Sequence, residues 1–197
     1  RDTWAGSPLL AANTAITLIC FALCMALQFI DVREFNGANI WMKPAKFFLS
    51  ISLHFATIAW ALCFASEAVR RSRLVTWTGW AIIVSAWYEL VYISFRAARG
   101  EASHFNTGSL SNAILYQLMA LGAVVLVVGA AIIGWAIWRR MPRTLWTDAI
   151  ALGFGLSAVL VQANPGRSAE TDAAAAVEDG VSQTLTSPLY TLQFNIY

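Results

Sequence analysis

The residues with the most chemistry to offer lie inside stretches that are otherwise apolar. Glu89 places a carboxyl in the run from Leu74 to Phe95, followed by Tyr92 and Arg96. It lies about four residues past the middle of that run, or roughly 6 Å at 1.5 Å per helical residue. If the run crosses a membrane, an ionised carboxyl there costs at least about 2.5 kcal/mol unless it is paired or hydrated. Glu89 is then a proton or cation site, the anchor of a polar cavity, or half of a structural ion pair. Arg96, two turns along the same face, is the expected partner, with Lys43 and Lys46 from the preceding loop as alternatives. His54 sits mid-run in Leu53-His54-Phe55. A bis-histidine haem needs a second imidazole at similar depth, and the other histidine, His104, lies in a loop. His54 therefore reads as a histidine hydrogen-bonded to a neighbouring helix, and only weakly as a cofactor ligand. Gln28, Asp31, Asn112, Tyr116 and Gln117 fall with them in the middle or outer half of the expected bilayer.

The elements that must position them follow from composition. Of 197 residues, 58% are hydrophobic and 12% charged, about half the charge of a typical soluble domain. The apolar residues form five runs: Leu9 to Ile30, Phe47 to Val69, Leu74 to Phe95, Ala113 to Trp138, and a shorter Leu145 to Ala163 that contains Asp148. Spanning the hydrocarbon takes about 20 helical residues, and backbone groups in lipid must be satisfied within their own segment. The expectation is an all-α, polytopic transmembrane helix bundle of about five spans over 1–163, followed by a polar, acidic tail over 164–197. Cys20, Cys24 and Cys63 all lie in apolar runs and read as reduced small residues. The first eight residues do not form a cleavable signal peptide.

Basic residues suggest an orientation. Arg1, Arg70-Arg71-Arg73 and Arg139-Arg140-Arg143 fall on one side, and the two clusters abut helix ends, where the positive-inside rule has most force. Arg33, Lys43, Lys46, Arg96, Arg99 and Arg167 fall on the other. The chain is thus expected in a bacterial inner membrane with its N-terminus in the cytoplasm and its tail in the periplasm. Trp77, Trp80, Trp135, Trp138 and Trp146 mark the cytoplasmic interface and Trp41 the opposite one, as amphipathic rings at headgroup level do. A pigment or quinone stacked on them is the minor alternative. No cofactor is expected beyond lipid, and the net charge of +2 gives no reason to expect nucleic acid.

Gly122, Gly129 and Ala130/Gly134 in the fourth run, with Ala151/Gly155 and Gly153/Ser157 in the fifth, allow close helix approach. They imply either a compact bundle or a face for a partner. The tail sets Arg167 against Glu170, Asp172, Glu178 and Asp179, and has too little apolar mass for a core of its own. A protein partner docking the tail is therefore expected.

Two loops carry dense local signals. Trp41-Met42-Lys43-Pro44-Ala45-Lys46-Phe47 opens the second helix, with proline in a first turn, where its missing N–H is not needed. Arg99-Gly100-Glu101-Ala102-Ser103-His104-Phe105-Asn106 joins the third and fourth runs, with Arg99, Ser103, His104 and Asn106 as loop residues that could cap or bind. With these stretches, the region from Ile40 to Trp138 resembles a group of uncharacterised bacterial multi-pass membrane proteins. The resemblance implies an architecture and no activity.

Three functions fit the residues. The first is a non-catalytic accessory or scaffold subunit of a larger membrane complex, in keeping with the tail and the small-residue faces. The second is a small proton- or ion-coupled transporter with a polar cavity around Glu89. The third, an enzyme using His104 with Ser103 and Glu101, is the weakest, because nothing orders those residues as a triad.

Overall fold

The computed structural model describes residues 6–35, 37–100, 110–142, 144 and 148–154. The order is α1 (Pro8–Ile30), β1 (Glu34–Phe35), β2 (Ala38–Asn39), α2 (Met42–Leu62), α3 (Glu67–Arg70), α4 (Arg73–Ala98) and α5 (Leu110–Arg140). The all-α helical bundle is therefore observed, and four of its helices are long and apolar enough to cross a membrane. α1 packs on α2 and α4 on α5, and the two pairs meet chiefly where α2 faces α4. Ile19, Leu23, Val84, Val91 and Leu121 point outward, as expected of helices whose solvent is lipid.

Local chemistry sets the ends. α1 starts at Ser7, whose hydroxyl accepts from the Leu10 N–H, with Pro8 in the first helical position. Such a proline gives up an N–H that would lack a partner anyway. α2 begins at Met42, five residues before the apolar run does, because Pro44 is accommodated inside its first turn. It ends at Leu62, seven residues before the run does. There the bonds tighten to three-residue spacing, Cys63 N–H to Trp60 O and Phe64 N–H to Ala61 O, and the chain turns into α3. α4 is capped by Ser72 and closes at Gly100, whose φ of +66° favours glycine.

The hairpin between α1 and α2 was not expected. Glu34 pairs with Asn39 and Phe35 with Ala38, and Gly37 takes φ +76°. Asn36-Gly37 is the sequence signature of such a two-residue turn. The hairpin is fastened to the helices by polar groups. Asp31 receives bonds from Arg33 Nη2 at 2.7 Å and Trp41 Nε1 at 2.9 Å, and Asn39 Nδ2 donates to the Asp31 carbonyl at 2.6 Å. Arg33 Nη1 also reaches the Ala98 carbonyl at the end of α4. Arg33 and Trp41 hold the Asp31 carboxyl below the ordinary carboxylate range.

At the opposite, arginine-rich end, Trp77, Trp80 and Trp135 are exposed, and the Arg139 guanidinium lies 5.1 Å from the Trp135 ring centre. The fifth apolar run is described only over 148–154. That piece is helical and turns back along α5: Trp138 Nε1 donates to Asp148 Oδ1 at 3.1 Å, and a Cβ at Gly134 would meet Phe154 at 3.0 Å. The rest of the run, and the tail 164–197, lie outside the described residues. The three cysteines are free thiols.

Candidate functional site: a buried carboxyl at the α4–α5 seam

α4 and α5 run antiparallel in a fixed register. A Cβ at Gly129 would meet Ile82, a Cβ at Gly122 would meet Glu89, and Tyr92 packs with Met119. Seven residues back along α4 thus match seven forward along α5, the repeat that keeps one seam in contact between two helices. Gly122 and Gly129 sit on this seam and bring the two backbones close.

Glu89 is on the same seam and is only 4% exposed. Its Oε1 is buried without a hydrogen-bond partner, 3.0 Å from where a Cβ at Gly122 would stand. The glycine leaves the space that the carboxyl fills. By helix rise, the group lies roughly 14 Å below the hairpin-side end of α4.

The expected ion pair with Arg96 does not form. Arg96 is itself buried, but its Nε donates to Tyr92 Oη at 3.3 Å and its guanidinium lies 5.4 Å from that ring's centre. Glu89 makes no salt bridge with any described residue. The cause is geometric. Side chains on a helix lean toward its N-terminus, so Arg96 leans onto Tyr92 while Glu89 leans away from both. The backbones of the two residues are two turns apart, about 10.5 Å of rise, and the Arg96 side chain stops at Tyr92. Tyr88 stacks on Tyr92 at 6.3 Å and donates to the Leu115 carbonyl of α5 at 3.2 Å.

The other residues of the expected polar cluster fall in different places. His54 is half-buried on α2 against the backbone of Leu126, one turn along α5 from Gly122, and its Nε2 is buried without a partner. The ring hydrogen-bonds the backbone of Leu126 on α5, the expected bond to a neighbouring helix, while Nε2 itself has no partner. Two of the three unpartnered buried side-chain atoms found among the described residues thus border one stripe of α5; the third is Ser94 Oγ. Lys43 and Lys46 lie in the first turns of α2, half-buried and exposed respectively, and Glu89 pairs with neither. Gln117 is exposed on α5, turned away from Glu89. Arg99 caps α4, its guanidinium 5.6 Å from the Phe95 ring centre. Ser103, His104 and Asn106 lie outside the described residues. Among the described residues, no three His, Cys, Asp or Glu side chains come together as a metal site would require.

A second polar seam went unnoticed in the sequence. Asn13 and Thr17 on α1, Ser52 on α2 and Trp87 on α4 meet in the core. Trp87 Nε1 donates to Asn13 Oδ1 at 2.8 Å, and Ser52 Oγ lies 2.9 Å from Thr17 Oγ1. The one-turn spacing of Asn13 and Thr17 was the available signal. Every one of these groups is satisfied, so this seam fastens helices, whereas the Glu89 seam leaves polar capacity unused. Compared with protein-family models, curated proteins and solved structures, the chain matches none.

Proposed function

We propose that the protein is a small proton-coupled transporter of a bacterial inner membrane, with Glu89 as the group that takes up and releases the proton. The observation that carries this reading is the buried Glu89 carboxyl with an unpartnered Oε1 against Gly122. Leaving a polar atom unpaired in a helix core costs about 1–3 kcal/mol, and residues that bear such a cost inside a membrane are functional by default. Glu89, Tyr92 and Arg96 follow each other along one face of α4 toward the hairpin end. On the positive-inside reading of the basic clusters the arginine-rich end is cytoplasmic, and Glu89 would then exchange with the periplasmic side.

An accessory-subunit role drew on the polar tail, which lies outside the described residues, and on the small-residue faces of the fourth and fifth runs. Gly122, Gly129 and Gly134 instead face Glu89, Ile82 and Phe154 inside the bundle. A pH jump on proteoliposomes adsorbed to a capacitive electrode tests the proposal without a known substrate. A transient charge displacement is expected for the native chain, absent in Glu89→Gln and retained in Glu89→Asp. No transient in the native protein, or the same one in Glu89→Gln, would refute it.

A further inference from the structure

At the arginine-rich end, far from Glu89, a cavity of about 190 Å³ lies between α1 and α4. Two glycines line it. Gly6 lets the start of α1 settle directly against Ala59 O and Cys63 of α2, and a Cβ there would collide with both. On the facing side Gly79 carries no side chain, and a Cβ built on it would meet nothing within 4 Å. The space is many times the on-the-order-of 10–15 Å³ that one water needs. Its floor, however, is Leu10, Leu62, Ile83 and Ile133, which offers water no partners.

The lining changes character along the groove. Ser7, Arg70 and Thr76 stand toward the bundle end, Trp80 forms one wall, and the apolar floor continues toward mid-membrane. Arg70 Nη1 donates to the Ala65 carbonyl at 2.8 Å, which fixes the guanidinium. Its neighbour Arg71 is neutralised by Glu67 at 2.8 Å, whereas Arg70 joins no ion pair among the described residues. A guanidinium has five N–H donors in a fixed fork that matches phosphate oxygens. A fixed cation over an apolar slot at a membrane interface has the polarity profile of one lipid molecule, headgroup to chain.

We propose that this groove binds one anionic phospholipid, its phosphate on Arg70 and one acyl chain running past Gly79. Basic pockets between transmembrane helices are where anionic headgroups dock.

Native mass spectrometry of the purified full chain, titrated with phosphatidylglycerol or phosphatidylcholine, tests the site. One phosphatidylglycerol should be retained, about ten-fold more tightly than phosphatidylcholine, and Arg70→Gln should erase that difference. Gly79→Leu should fill the slot and release both lipids while leaving thermal stability in lipid-free detergent unchanged or higher, and it keeps the test informative should Arg70→Gln fold poorly. Arg71→Gln should bind like the native chain. Equal retention of the two lipids, or native-like binding by both Arg70→Gln and Gly79→Leu, would overturn the proposal. Displacement by millimolar glycerol phosphate would also overturn it, because the ligand would then be a soluble phosphoester.

Discussion

Gly129 gives the sharpest structural prediction. Alanine at an interior helix position is favoured over glycine by about 0.8–1 kcal/mol, so on propensity alone Gly129→Ala should stabilise α5. The seam reverses this. The new Cβ would stand 2.6 Å from Ile82 Cγ1 and 2.8 Å from its Cδ1, and Ile82 is fully buried with little freedom to move aside. Overpacking of this kind costs roughly 1–3 kcal/mol, for a net effect between about zero and 2 kcal/mol of destabilisation. Gly79→Ala is the matched control, with the same gain in propensity and open space around the new methyl. The two variants should differ by about 1–3 kcal/mol in reversible SDS unfolding followed by tryptophan fluorescence. Ile82→Ala alone should lose about 2–5 kcal/mol, and combined with Gly129→Ala it should lose less than the sum, because the added methyl occupies part of the vacated space. If Gly129→Ala gains as much stability as Gly79→Ala, the α4–α5 register is wrong.

Three further outcomes are expected. Trp87→Phe removes the donor to Asn13 Oδ1 and should cost on the order of 0.6–1.7 kcal/mol; on an Asn13→Leu background the same change should cost almost nothing. Asp31 is held below its unfolded value by Arg33 first and Trp41 second, so its contribution is present above about pH 4 and fades as pH falls toward the lower folded value. Trp41 fluorescence should report that loosening in the native chain, and Asp31→Asn should lack the acid transition. In a cysteine-free background, a cysteine at Glu34 should react with an impermeant maleimide on intact cells and one at Arg71 only after lysis; the reverse pattern would invert the orientation.

The spans were legible because long apolar runs have few alternatives in lipid, and α1 begins within a residue of its run. Boundaries shifted where a short-range effect outweighed hydropathy. Pro44 lies within the first turn of α2 and does not precede it, and the tightened bonds at Cys63 to Ala65 end that helix inside a run that continues to Val69. Glu89 stood out because an acid in an apolar run is costly. Its environment did not, because the opposing Gly122 depends on the register between two helices, which no single-chain spacing encodes. The Arg96 pairing failed for a related reason: spacing along a helix counts turns, but side-chain lean decides which turn is reached. The Asn13–Trp87 bond joins residues 74 apart in sequence, beyond the reach of local pattern.

The measurement closest to the central claim is infrared difference titration of the carboxyl C=O stretch in lipid. A protonated, buried Glu89 predicts one carboxylic band that titrates in the native protein and is absent from Glu89→Gln. The band should move in Gly122→Ala, whose Cβ would stand 3.0 Å from Oε1. A native spectrum that Glu89→Gln leaves unchanged would contradict the account.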